Sequence, residues 1–149
     1  MNAFPMADES RQRADRPVDL GRPGWTMLAG AATTNGSFEL FEELRIATGG
    51  PPPHVHRGHE ELFYVLEGRY VFVRDRTEIE LMAGESVVIP RGTRHQYQTL
   101  VAPSRTLILI VPAGLEGFFR EMGTELFAGR TPLEAMTALS ARFDSHPVD

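Results

Sequence analysis

The amino-acid sequence predicts an all-β domain, an antiparallel sandwich or barrel followed by two short C-terminal helices. Three observations carry that expectation. Short segments rich in Val, Ile, Phe, Tyr and Thr recur from Trp25 onward, Gly, Pro, Asp and Arg divide them at short intervals, and helical periodicity begins only after Pro112. Short connections favour antiparallel pairing, because parallel strands need crossovers of about a dozen residues or more. With 149 residues, 42% hydrophobic and 23% charged, the chain is sized for one domain around one apolar core.

In chain order, residues 1–23 are polar, charged and broken by Pro5, Pro17 and Pro23, which reads as a flexible N-terminal arm or one ordered only by docking on a partner subunit. The barrel is expected over residues 24–112. Within 37–46, Phe38, Leu40, Leu44 and Ile46 alternate with Glu39, Phe41, Glu43 and Arg45, the period of a half-buried strand. Further strands are expected over 61–66, 69–74, 77–81, 86–89, 94–100 and 105–111, about eight in all, with Glu67-Gly68 as a tight hairpin turn. Residues 113–149 should form helices packing on the barrel. There GLEGFFREMGTELF sets Phe118, Phe119, Met122 and Leu126 near one face. Thr131, Pro132 and Glu134 then supply an N-cap, a first-turn proline and a capping box, ahead of an apolar stripe of Leu133, Met136, Leu139 and Phe143.

Composition excludes several classes. The net charge is −5, from 15 basic and 20 acidic residues, so neither a nucleic acid nor an anionic membrane is an expected partner. The segment ahead of the barrel is too short and too broken by proline for a helix-turn-helix. The absence of cysteine removes disulfides, thiolate ligands and a cysteine nucleophile. The stretch MNAFPMADESRQRADR has no apolar core of signal-peptide kind, and the longest aliphatic run, 107–111, is far too short to span a bilayer. A cytoplasmic protein is expected.

The chemistry concentrates in PPPHVHRGHEELFYVLEG, residues 51–68. His54 and His56 stand two apart, so on an extended backbone they point the same way. Glu61 opens a strand whose same-parity neighbours are Phe63 and Val65, which turns its carboxylate inward, where a charge needs a partner. His95 shares its strand face with Tyr97. Three imidazoles around a buried carboxylate ask for a cation. His59 and Glu60 read as solvated loop residues, and His146 as a tail residue with no implied partner. Phe38, Phe63, Tyr64, Phe72, Met82 and Tyr97 line a pocket for a flat organic molecule or simply fill the core. Phe118 and Phe119 close the barrel mouth or pack on the outer sheet.

These residues fall into two motifs that resemble those of the cupin superfamily. The first, His54-x-His56-x4-Glu61-x6-Gly68, is similar to the family's G-x5-H-x-H-x(3,4)-E-x6-G, and the second, Gly84-x5-Pro90-x-Gly92-x2-His95, to G-x5-P-x-G-x2-H-x3-N. Two departures lie outside the ligand set: the opening glycine falls at Gly49 or Gly50, and Thr99 replaces the closing Asn. The resemblance implies an antiparallel double-stranded β-helix, the jelly-roll or cupin barrel, with a metal held by His54, His56, Glu61 and His95. Such a donor set suits Fe, Mn, Co, Ni, Cu or Zn and is too rich in nitrogen for Ca or Mg. The same stretch also resembles single-domain cupins compared with quercetin dioxygenases, which implies O₂-dependent opening of an enolic or phenolic compound with Glu61 as catalytic base. A non-catalytic metal-assisted binding or sensing cupin, and a non-redox isomerase or lyase, are the other expectations. Exposed strand edges add a homodimer.

Overall fold

The segments with two-residue periodicity form strands, and these pair into two antiparallel sheets whose inner faces enclose one core. The computed structural model describes residues 15–149. One sheet runs in the order β1 (Val18–Asp19), β2 (Trp25–Ala29), β3 (Glu39–Arg45), β10 (Ser104–Val111), β5 (Glu60–Glu67) and β8 (Ser86–Ile89). The other runs β11 (His146–Pro147), β4 (His54–Val55), β9 (His95–Thr99), β6 (Arg69–Arg74) and β7 (Thr77–Met82). A single turn, α1 (Ala31–Thr34), follows β2, and α2 (Glu116–Phe127) and α3 (Pro132–Leu139) follow β10. Successive strands repeatedly change sheet, which gives the jelly-roll expected from the motifs. None of the described helices is long and apolar enough to cross a membrane.

The sheet changes correct one expectation. Glu67-Gly68 is not a hairpin turn: β5 pairs with β10 and β8, whereas β6 pairs with β7 and β9 in the other sheet. Gly68 is the corner between them. Its φ is +87°, and a Cβ there would lie 2.0 Å from Ser104 Oγ, so both the bend and the close approach require glycine.

A second correction concerns β3. Glu39, Phe41 and Glu43 are the buried set, while Phe38, Leu40, Leu44 and Ile46 take the other parity, with Phe38, Leu44 and Ile46 exposed. The inward glutamates are tolerated because each finds donors. Glu39 accepts the backbone N–H groups of Leu115 (2.9 Å) and Glu116 (3.2 Å), and so caps α2 from a neighbouring strand. Glu43 accepts from the Tyr97 hydroxyl and the Arg45 guanidinium, each at 2.8 Å.

Of the arm expected over 1–23, residues 1–14 lie outside the described residues. The remainder is tied down: β1 pairs with β2, Leu20 is buried, and the Arg22 guanidinium lies 4.4 Å from the Trp25 ring centroid. At the other end, α2 buries Phe118, Phe119 and Met122 as its periodicity requires, and Phe119 stacks on Trp25 at 4.4 Å. In α3 the capping box forms and Met136 and Leu139 are buried; Ala135 takes the place expected for Leu133, which is 53% exposed.

The carboxylate of Glu39 is therefore a fold determinant. Glu39→Ala should leave two amides at the start of α2 without acceptors and lower unfolding stability by about 2 kcal/mol, read as a lower urea midpoint.

Candidate metal centre

Two short strands place three of the four candidate ligands. β4 pairs with β9 so that His54 and His95 face each other in register, with ring centroids 4.3 Å apart. His56 follows His54 at the same parity, 5.0 Å away and edge-on. Glu61 comes from the opposite sheet, at the start of β5, with Oε2 2.8 Å from His95 Nε2 and 3.3 Å from His56 Nε2. All four residues are buried, and their candidate ligand atoms lie within 4.8 Å of one another.

The second nitrogen of each ring decides what this cluster can do. His54 Nδ1 donates to the Pro52 carbonyl at 2.8 Å, His95 Nδ1 to the Thr93 carbonyl at 2.9 Å, and His56 Nδ1 to the Asp144 carbonyl at 2.6 Å. A carbonyl only accepts, so each Nδ1 carries the hydrogen and each Nε2 turns a lone pair inward. While the rings are neutral, three lone pairs and a carboxylate converge in a buried space; the 2.8 Å contact of His95 Nε2 with Glu61 Oε2 then needs a shared proton or a metal ion, and His56 Nε2 has no hydrogen-bond partner. Such a set demands a cation, either protons on the imidazoles or a metal ion. Burial, with the neighbouring His95 and His56, pushes His54 down to about 3, so its ring is neutral and ready to ligate. Burial alone would raise Glu61, but His56 and His95 hold it well below the usual carboxylate range. The residues fit a divalent transition ion, bound through three nitrogens and one oxygen.

Asp144 was invisible to sequence reasoning. Besides receiving His56 through its carbonyl, its carboxylate accepts from the Arg57 and Gly58 amides at 2.8 and 2.7 Å and from His59 Nδ1 at 2.7 Å. His59 is thus a pinned loop residue and not a freely solvated one. His146, expected to be an unpartnered tail residue, donates to Asp144 Oδ1 at 3.2 Å and pairs with Val55 in β11. Glu60 is exposed as expected and pairs with Arg91.

A cavity of about 140 Å³ adjoins the ligands. Phe63, Tyr97 and Phe118 line it, as does Phe119, so α2 covers the cavity from above. Phe72 does not line it: it is buried behind Phe63 and Tyr97, at 4.8 and 5.3 Å between ring centroids. Phe38 and Met82 point outward, 36% and 54% exposed, because their strand parity is that of the solvent face. Tyr64 also lies outside the cavity. Thr99, in place of the motif's Asn, donates to the Ala47 and Gly49 carbonyls and ties the preceding loop to β9.

The pattern of the cupin domain family matches residues 41–111. Over that span the chain is similar to the cupin domain family. It is 30% identical over 102 residues to quercetin 2,3-dioxygenase of Bacillus subtilis, across 65% of this chain and 29% of that protein. It is 38% identical over 61 residues to an oxidoreductase of Pestalotiopsis fici, across 40% of this chain and 30% of that protein. The chain thus spans under a third of the length of both relatives. Among solved structures it is similar to KdgF from a Halomonas species, with a TM-score of 0.56 at 20% identity over 67% of this chain and 88% of that one. A nucleoside dehydratase from Streptomyces has the same fold, with a TM-score of 0.54 at 14% identity over 72% and 88% of the two chains.

The hydrogen-bond pattern yields a test of the centre. Asp144→Ala frees the segment whose carbonyl orients His56, and should weaken metal affinity about 10- to 100-fold, the usual effect of losing an outer partner of a ligand. Chelator competition measures it, with His56→Ala as the reference variant that loses the metal.

Proposed function

We propose that this protein is a mononuclear metal-dependent dioxygenase that acts on a small enolic or phenolic compound. The observation that carries the reading is the acceptor-only set of three Nε2 atoms and the Glu61 carboxylate, opening on a small aromatic-lined cavity. The similarity to a quercetin dioxygenase supports the same chemistry. A divalent transition ion in this set supplies Lewis acidity toward an enol oxygen and, when redox-active, electrons to O₂.

The chain's own residues do the rest. His54, His56 and His95 hold their lone pairs in place through their carbonyl partners, so ligation costs little reorganisation. Glu61 stands closest to where the substrate's hydroxyl would lie and takes its proton; held low by His56 and His95, it becomes an effective base only as those contacts loosen on substrate entry. Phe63, Phe118 and Phe119 exclude water from the resulting enolate. The substrate is oxidised, and O₂ supplies the incorporated oxygen atoms.

Size restricts the substrate. A cavity of about 150 Å³ holds a molecule such as benzene, and drug-sized ligands need about 300 Å³ or more. At about 140 Å³ the inner cavity beside the ligands suits a single ring. That restriction also keeps a second reading in play, a non-redox isomerase, lyase or binding cupin for a compact ligand.

Glu61→Gln should keep most of the metal through the three histidines, while oxygen uptake with an active enolic substrate falls by about 10² or more. Unchanged turnover excludes Glu61 as the base. Metal-loaded protein that consumes no oxygen with any enolic compound favours the second reading. A homodimer is the proposed assembly, because the outer face of the larger sheet exposes Tyr64, Leu66 and Val88. Light scattering at micromolar concentration should give twice the mass of one chain.

A further inference from the structure

The cavity has a charged side that the metal chemistry does not use. Arg22 and Arg45 line it together with the metal ligands, and both also line a wider outer groove of about 370 Å³ along β3 and the end of α2. The two arginines therefore stand where the groove meets the inner cavity. Arg45 lies on β3 at the parity of Phe41 and Glu43, and Arg22 reaches in from the turn before β2, its guanidinium over the Trp25 ring and 6.0 Å from that of Phe119.

Their hydrogen bonding is incomplete. Glu43 is the carboxylate facing this corner, and both its oxygens are taken, Oε1 by Arg45 Nη1 and Oε2 by the Tyr97 hydroxyl. Arg45 Nε is buried with no partner. Arg22 makes no ion pair with any carboxylate among the described residues; its guanidinium lies over the Trp25 ring and the residue is half-buried. Among the described residues the two arginines share one glutamate, and at Arg45 Nε the unpaired donor is buried, where such groups are costly. Tyr97 adds no negative charge, since burial and the Glu43 carboxylate hold its hydroxyl protonated.

The distance to the metal ligands follows from strand register. Ile110 pairs with both Glu39 and Glu61, and Thr106 with Glu43. The metal rung and the Glu43 rung are thus separated by four residues of strand, roughly 13 Å, and the Arg45 guanidinium, which reaches back from the next inward position to bond Glu43, stands at the far end of that span. That spacing exceeds what one carboxylate can bridge and matches a ring with a short chain.

From this geometry we infer that Arg22 and Arg45 form an anion subsite at the cavity mouth, and that the ligand is a small aromatic or enolic acid bound with its carboxylate at the arginines and its ring toward the metal. This rests on the proposed function only in making the metal end the reactive one; recognition of the acid belongs to the arginines alone. Guanidinium groups match a carboxylate through paired N–H donors, and such charge-assisted bonds discriminate strongly against neutral analogues.

The test uses hydrocinnamate and its neutral isostere hydrocinnamamide as probes, titrated calorimetrically into the full-length protein with its metal and after the metal is stripped. The acid should bind at least about tenfold more tightly than the amide in both forms. Arg22→Gln should bring the two probes level, and Arg22→Lys should restore part of the preference. Thermal unfolding confirms that each variant is folded, and the wild-type comparison stands without any variant. Equal affinity of acid and amide, no binding of the acid at millimolar concentration, or a preference that survives Arg22→Gln overturns the subsite. A preference lost with the metal and untouched by Arg22→Gln places the carboxylate at the metal, and refutes the subsite while leaving the metal reading intact. A preference that persists in protein inactive toward O₂ does the reverse.

Discussion

Three N–H···O=C bonds set what the interior of this protein can be. Each imidazole gives its Nδ1 hydrogen to a backbone carbonyl, so a neutral ring has no hydrogen left for the Glu61 carboxylate. The buried centre is left with acceptors alone. An acceptor-only cluster out of water is costly unless a cation occupies it, and the geometry is fixed before any ion arrives.

The three bonds differ in what they ask of the fold. Pro52 and Thr93 each stand two residues before the histidine they serve, so the local bend of the chain is enough. His56 depends on Asp144, 88 residues away. That carbonyl is in place only when Ala135, Met136 and Leu139 have seated α3 in the core and β11 has paired with β4. The Glu39 cap fixes the start of α2 in the same way. The C-terminal helices are thus part of the centre, and metal affinity and docking of the last residues are thermodynamically linked.

This division explains what could be read from the sequence. His54, His56, Glu61 and His95 were legible because strand periodicity alone turns them inward, and antiparallel pairing brings His54 to His95. The capping box of α3 was legible because Thr131 and Glu134 are close in sequence. The phase of β3 was not. Its two faces offer aliphatics against Phe41 flanked by charges, and local hydropathy cannot see the amides of Leu115 and Glu116 or the hydroxyl of Tyr97 that make the charged face the inner one. Glu67-Gly68 satisfies a hairpin turn equally well; only the pairing of β5 with β10 shows that the chain leaves for the other sheet. Asp144 carries no local signal at all.

The buried charges also have a pattern that stability does not explain. Replacing an interior ion pair by apolar groups of similar volume is often neutral or stabilising, so stability alone does not account for the Glu43, Tyr97 and Arg45 cluster. Apolar residues at their places would pack against Phe41 and Phe63 without leaving Arg45 Nε unsatisfied. Apart from Glu39, which caps α2, the buried carboxylates and imidazoles either line the cavity or contact residues that do. The interior elsewhere is aromatic and aliphatic apart from the small hydroxyl side chains of Thr99, Ser104, Thr106 and Ser145 and the Tyr70 hydroxyl. Polar groups kept in a core against their solvation cost, and confined to one cavity, belong to what that cavity binds. The acceptor-rich end calls for a cation, and the donor-rich end calls for an anion. In the proposed reading, a ligand that is both a metal-binding enol and an acid would satisfy the two ends at once.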